Sequence, residues 1–439
     1  MQYRETLLVA DDLSGAADSG IAFTLRGMRS EILLRAAEHA DGTEHADAAW
    51  PTARVLATDT DSRYTDPATA GRRVADVLCR FGAGRRLFKK LDSTLRGNPA
   101  AELEALRAYA PAAGGVLICA PASPRTGRTV RDGVVHVHDV PLHATDAWGA
   151  ERTGPPRSVA QALAPLPVTA IPLTEVRGPR ARLTARLAEC GARGRLAVCD
   201  AESEADLRAV AAAGLALPGP TRWAGAAGLA HALAHTLAHL ETRADPLAHS
   251  EAHSACAHRH GAPLPPGHPA APRPPAGPVL AVIGSAHGVS GRQADALAAH
   301  LPHTLTLPVS AVLGDPHGPL ASRLLALLRT GDTLLRLAPD APVDTAVARD
   351  LVGRLGRIAA PAASAAGTLI LTGGETARSV LTHSGVHALE LLAEPAPSVV
   401  LARTREPVPR HVITKAGGFG APDTLSRIVA TINSPEEKP

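Results

Sequence analysis

Short β-branched or aliphatic runs alternate along this chain with longer Ala- and Leu-rich stretches. In the first half the runs fall at residues 6–10, 54–58, 86–91, 115–120, 168–172, 196–200 and 221–223. Between them lie stretches of helical character, such as 67–79, 99–108 and 203–213. Largely apolar strand runs alternating with helices read as strands covered on both faces. The pattern therefore predicts a mostly parallel sheet between layers of helices. Residues 241–278 interrupt it with a Pro-, Ala- and His-rich segment ending LPPGHPAAPRPPAGP, which reads as a solvated linker. A second alternation follows, with strands expected at 279–283, 304–308, 333–337, 368–372 and 411–414. The expected fold is α/β: two three-layer domains, 1–240 and 279–439, with mostly parallel sheets facing an inter-domain cleft. A chain of 439 residues is also too long for one compact core.

Composition narrows the function classes. Aromatics make up 2% of residues, so the core must be aliphatic. A net charge of +3 is too small for nucleic-acid binding driven by counterion release. No uncharged apolar run approaches the ~18–20 residues of a membrane span. The N-terminus MQYRETLLVADD turns acidic where a signal peptide stays apolar. Five cysteines, an odd number with no CxxC, fit reduced thiols and a cytoplasmic location. A homo-oligomer is compatible with all of this.

Only four of the 45 lysines and arginines are lysines, and three of them sit in two polar runs. These are KKLDSTLRGNP (89–99), which also holds one of the two asparagines, and TKAGGFGAPD (414–423), which holds one of the four phenylalanines. An ammonium is a compact point charge suited to a phosphate or carboxylate oxygen.

Ligands of open parallel sheets collect beyond the C-terminal ends of the strands. Asp11 and Asp12 follow the first predicted strand, and Asp59, Asp61, Ser62 and Arg63 the second. Lys90, Asp92, Ser93 and Arg96 follow the third, and Ser123, Arg125 and Arg128 the fourth. Such a mixture suits a small, hydroxylated, anionic ligand. Arg63, Lys90 or Arg96 would hold its carboxylate, and Asp12 or Asp92 its hydroxyls. Asp12, Ser14 and Ser93 are also candidates for plain helix caps.

The second half differs in kind. IGSAHGVSGRQ (283–293), LTGGETARSV (371–380) and TKAGGFGAPD each run from strand through small residues into helix. Glycine admits close approach, and a helix N-terminus offers free N–H groups, so three such loops read as a phosphate cradle. GxxxxGK[ST] is absent, as is a GxGxxG dinucleotide fingerprint. His231, His235 and His239 recur on one helix face, read as solvated, and no metal site is assigned. His136 and His138 alternate as on one face of a strand, lining a ligand site or facing solvent.

ADDLSGAADSG, KKLDSTLRGNPAAELEA, APASPRTGRTVRDGVVHVHDVPL, LTGGETARSVL and TKAGGFGAPDTL together resemble the four-carbon acid sugar kinases, over about residues 7–425. The resemblance implies two α/β domains that use ATP and Mg²⁺ to phosphorylate threonate, erythronate or 3-oxo-tetronate. It implies that Asp12, Arg63 and the run Lys90, Leu91, Asp92 and Ser93, with Arg96 alongside, bind the sugar acid. It places ATP at Ser285, Gly373, Gly374, Glu375, Thr376, Gly417 and Gly418, with Lys415 in the last loop. The family usually has Thr and Asn where this chain has Ser14 and Ala17. The implied partners are a small acid sugar and ATP, with no nucleic acid or membrane. Asp12 or Asp92 would serve as base, and the sequence does not choose between them. An oxidoreductase or aldolase, or a non-catalytic sensor on the same scaffold, stay open as rivals.

Overall fold

The structure, a computed structural model, describes residues 5–34, 53–109, 115–149, 151, 153–244, 277–284, 288–314, 318–338 and 345–433. The strands of the first half are β1 (Thr6–Ala10), β2 (Ser30–Leu33), β3 (Val55–Asp59), β4 (Arg86–Lys90) and β5 (Val116–Ala120). A small antiparallel sheet follows, β6 (Arg128–Arg131), β7 (Val134–Val137) and β8 (Val140–Pro141). Then come β9 (Val168–Ile171), β10 (Leu196–Cys199) and β11 (Thr221–Gly225). The second half contributes β12 (Val279–Ile283), β13 (His303–Leu307), β14 (Thr333–Leu337), β15 (Thr368–Thr372), β16 (Ala388–Ala396), β17 (Val399–Thr404) and β18 (His411–Lys415).

All but the small sheet join one 15-stranded sheet, ordered β13-β14-β12-β15-β18-β17-β16-β2-β3-β1-β4-β11-β5-β10-β9. Each end of this order is a wholly parallel block. The antiparallel pair β16 and β17 welds the blocks together, β17 against β18 and β16 against β2. The two halves predicted as separate layered units are thus edge-to-edge parts of one sheet.

The strands form where expected because burial is total: β1, β3, β4, β5, β12, β15 and β18 are buried at every position. Helices begin at local caps. Asp66 accepts from Thr69 N–H ahead of Pro67, and Ser203 and Asp206 cap each other's backbone. The helix Ala227–Ala244 runs through the expected start of the linker, and the rest of that segment lies outside the described residues. Cys79, Cys119, Cys190 and Cys199 are unpaired thiols, and Cys256 lies outside the described residues.

Two places in this topology favour a ligand. β1 has β3 on one side and β4 on the other, so the chain leaves it in opposite directions. β12 likewise sits between β14 and β15. Crevices open at such reversals, beyond the strands' C-terminal ends.

Candidate functional site

The corner after β1 organises the first half of the site. Asp12 is extended (φ −145°) and caps the helix Leu13–Thr24, its Oδ1 accepting from Gly15 N–H at 2.8 Å. Its Oδ2 accepts from Arg63 Nη1 at 2.9 Å. Arg63 also grips Asp11 with a fork, Nε to Oδ2 at 2.7 Å and Nη2 to Oδ1 at 3.0 Å. The cap is therefore real, and the carboxylate does more than cap.

Asp92 stands 3.7 Å from Arg63. It accepts from Arg96 Nε at 3.0 Å and Nη2 at 2.8 Å, and from Thr94 N–H at 3.0 Å. Burial pushes the Asp92 carboxyl up, but Arg96 and Arg63 outweigh it and hold it well below the usual carboxylate range. Asn98 closes the loop by donating to Ser62 O and Thr65 O at 3.0 and 2.9 Å. Leu91 is buried, and Ser93 is half-buried in the same loop.

Lys89 and Lys90 are strand neighbours and point to opposite faces. Lys89 meets Glu102 at 3.0 Å with no exposure, a buried pair behind the sheet. Lys90 comes to the Asp12 corner: its Nζ donates to Leu91 O at 2.9 Å, and a Cβ on Gly15 would stand 3.2 Å from it.

The three glycine loops of the second half follow β12, β15 and β18, which are adjacent strands, so the loops lie side by side. A Cβ on Gly284 would strike Thr376 Oγ1 at 2.5 Å. Ser285 lies outside the described residues. Gly373 adopts φ +90°, a region glycine favours, and its N–H donates to Lys415 O at 2.8 Å before the helix Gly374–His383 begins.

Lys415 does not present its ammonium outward. It is buried and donates to Ala416 O at 2.7 Å, Gly417 O at 3.3 Å and Phe419 O at 2.8 Å. Ser290 Oγ donates to Gly417 O, and Gln293 Nε2 to Phe419 O and Ala421 O. Side chains thus hold the carbonyls of the loop that contains Gly417 and Gly418. Burial lowers the Lys415 ammonium to about 8.

The two halves meet at Asp12. A Cβ on Gly374 would lie 2.5 Å from Asp12 Oδ2 and 3.2 Å from Ser14 Oγ. Ser14 Oγ is buried with no partner among the described residues. Glu375 follows, its carboxyl pushed up by burial despite Arg349 and Arg63. Arg378, one turn on, reaches back to Asp59 at 3.3 Å and to Asp61. Burial raises Asp59 to about 7 against the pull of Arg378. Ser14 and Arg378 were not singled out for these roles. No signal marks one arginine among so many, whereas a hydroxyl two residues after Asp12 was at least readable as polar.

Two histidine readings change. His231 is half-buried, not solvated: Arg125 Nη1 lies 3.3 and 3.2 Å from its ring nitrogens, and Arg125 Nη2 lies 3.2 Å from Glu394. Asp18, His231 and Glu394 bring their ligand atoms within 4.8 Å of one another, a group of the kind that holds metal ions. β7 ends at Val137, so His138 falls in the following turn (φ +48°) over Gly127, not on a strand face with His136.

Comparison with known proteins agrees with this division. Residues 6–233 match the family model of a sugar-binding N-terminal domain, and residues 280–425 that of a nucleotide-binding C-terminal domain. A D-threonate kinase of Cupriavidus necator is 38% identical, across 95% of this chain and 96% of the relative. A second D-threonate kinase, from Bordetella bronchiseptica, is 31% identical over 97% and 96%. The fold is that of Haemophilus influenzae protein HI1011, with TM-score 0.67 and 19% identity over 97% of this chain and 100% of that one. The oxidoreductase, aldolase and sensor readings find no support in these matches. Among the described residues no helix is long and apolar enough to cross a membrane. With its two domain models in order and relatives matched along almost its whole length, the chain belongs to the four-carbon acid sugar kinase family.

Proposed function

We propose that this kinase transfers the γ-phosphoryl group of ATP to a hydroxyl of D-threonate. Residues 1–240 bind the acid and 279–439 the nucleotide, joined by 241–278. The observation that carries the reading is the contact of Asp12 with Gly374. The carboxylate corner of one half abuts the first residue of a glycine-led helix in the other, so an acceptor hydroxyl and a phosphate chain bound there would meet.

Arg63, Lys90 and Arg96 face the acid's carboxylate, with the Leu91 carbonyl and Ser93 available to its hydroxyls. Asp12 takes the hydroxyl proton, the substrate oxygen bonds to the γ-phosphorus, and the bond to the β-phosphate oxygen breaks to leave ADP. Asp92 is the poorer base, because Arg96 and Arg63 hold its carboxyl well below the usual carboxylate range. The helix start at Gly373, Gly374, Glu375 and Thr376, together with Ser285, Gly417 and Gly418, receives the phosphates, on a loop that Lys415 shapes. Glu375 is a hard oxygen donor in the first turn of that helix and, with phosphate oxygens and water, would hold Mg²⁺. When bound, the ion neutralises phosphate charge.

The choice of D-threonate rests on the names of the relatives, since three that match over the whole chain bear it. Relatives named 3-oxo-tetronate kinase match at 29% and 27%. ADP release should be measured with D-threonate, D-erythronate and 3-oxo-tetronate. A kcat/KM for D-threonate at least about tenfold above the others is expected, a gap that ~1.4 kcal/mol of differential binding supplies. Preference for either other acid refutes the assignment.

A further inference from the structure

Arg128 crosses from the first half to the second. Its backbone is pinned at the mouth of the small sheet by a reciprocal pair: Ser123 N–H donates to Arg128 O at 2.8 Å, and Arg128 N–H to Ser123 O at 3.1 Å. From this root the guanidinium lies over the ring of Phe419, its carbon 4.5 Å from the centroid. Phe419 belongs to the Lys415 loop, and its carbonyl is held by Lys415 and Gln293. Arg128 also lies within electrostatic range of Asp92 and Arg96. Nη1 donates to Thr126 O, whereas Nε is buried and has no acceptor among the described residues.

A partly desolvated cation with an accessible, unbonded Nη2 thus lies against the nucleotide-side loop and within electrostatic range of the acid-side pair. A guanidinium stacked on a ring leaves its edge free, and in-plane N–H groups match a carboxylate. We propose that Arg128 is a further anion-binding residue of the sugar-acid site and that its stack on Phe419 couples acid binding to nucleotide binding. An acid oxygen at Nη2, the guanidinium nitrogen that is neither buried nor bonded among the described residues, fixes the plane of the guanidinium, and the fixed plane steadies the Phe419 loop. Linkage then requires the nucleotide to tighten acid binding by the same factor. The inference rests on the acid and nucleotide assignments above.

Calorimetric titrations of ADP with and without D-threonate, and of D-threonate with and without ADP, test it on the full chain. Wild type should bind each ligand about five- to tenfold tighter when the other is present, within the usual range of such couplings. Arg128→Met should weaken acid binding about tenfold or more and bring the coupling factor to within about twofold of one. Phe419→Leu should leave acid affinity within about twofold and remove the coupling alike. Arg128→Lys keeps the charge without the planar fork and should fall between wild type and Arg128→Met, which keeps the test open if the latter misfolds. No coupling in wild type, undiminished acid affinity in Arg128→Met, or full coupling in Phe419→Leu overturns the proposal. If wild type binds and phosphorylates another four-carbon acid instead, the substrate assignment falls and the same titrations run with that acid.

Discussion

Beyond the ends of their parallel strands the two halves build polar corners from different materials, each suited on the proposed reading to an anion. In the first half the arginines and aspartates bond to one another: Arg63 to Asp11 and Asp12, Arg96 to Asp92. In the second half the side chains bond to the backbone. Lys415, Ser290 and Gln293 hold carbonyls, and glycine brings the main chain close. The first arrangement is a fixed array of charges that, on the proposed reading, would select a small acid by shape and hydrogen bonding. The second is a shaped stretch of peptide that suits any polyphosphate tail. Specificity should therefore reside in named side chains of the first half, and nucleotide affinity in loop geometry of the second.

Asp12→Asn tests the first material most severely. The amide keeps the size of the side chain and an oxygen for the Gly15 N–H, but cannot take a proton and loses the charge that faces Arg63. A fall in kcat of about 10³-fold is expected, within the usual range for general bases, with ADP affinity changed less than about twofold. If kcat stays within about tenfold of wild type by steady-state ADP release, Asp12 is not the base.

Gly374→Ala tests the second material at the seam. The new methyl would stand 2.5 Å from Asp12 Oδ2, so the helix start or the carboxylate must move. About a 100-fold loss of kcat is expected, in line with a displacement of about an ångström in a reacting geometry. Gly291→Ala is the control. It lies in the helix Gly288–Ala298 with open space at its Cβ, and should leave kcat unchanged while adding about 0.5–1 kcal/mol of stability in thermal melts. Equal behaviour of the two variants would show that close approach at Gly374 has no function.

Much of this plan was legible in the sequence, and the illegible parts share a cause. β12 and β15 fall at their expected positions because strands buried on both faces are written as largely apolar runs. β16 was missed: Glu390, Glu394 and Pro395 interrupt it, and most of its positions are only partly buried. β2 is four residues long, and its Glu31 is buried only because Arg29 and Arg405 accompany it. The seam between the halves runs through these two strands, so the sequence suggested two layered units and concealed the shared sheet. At the site, rarity was the useful signal. It marked Lys90, Asn98 and Lys415, all of which prove structurally committed. It could not mark Arg63 or Arg378, whose partners are distant in sequence and whose residue type is abundant. Nor could rarity tell an ammonium that contacts a ligand from one that shapes a loop.

That last distinction predicts the smallest effect and divides the halves most cleanly. Burial lowers the Lys415 ammonium from 10.5 to about 8, whereas an unfolded chain keeps it protonated to about 10.5. Between those values the unfolded state binds more protons, so this group's contribution to stability rises with pH across that window and is least favourable below about 8. The loop experiences the opposite. Three carbonyls rest on an ammonium with three hydrogens, and the neutral amine keeps only two to donate. From pH 7.5 to 9 the KM for ATP should therefore rise about two- to threefold, the scale of one weak hydrogen bond of ~0.5 kcal/mol. The acid side should stay nearly flat, because Asp92 is held far below this range, Arg63 far above it, and Asp59, raised to about 7, is already mostly ionised at pH 7.5. A KM for D-threonate that climbs in step with that for ATP would mean that both halves depend on one titrating group, and would undo the division into side-chain and backbone recognition.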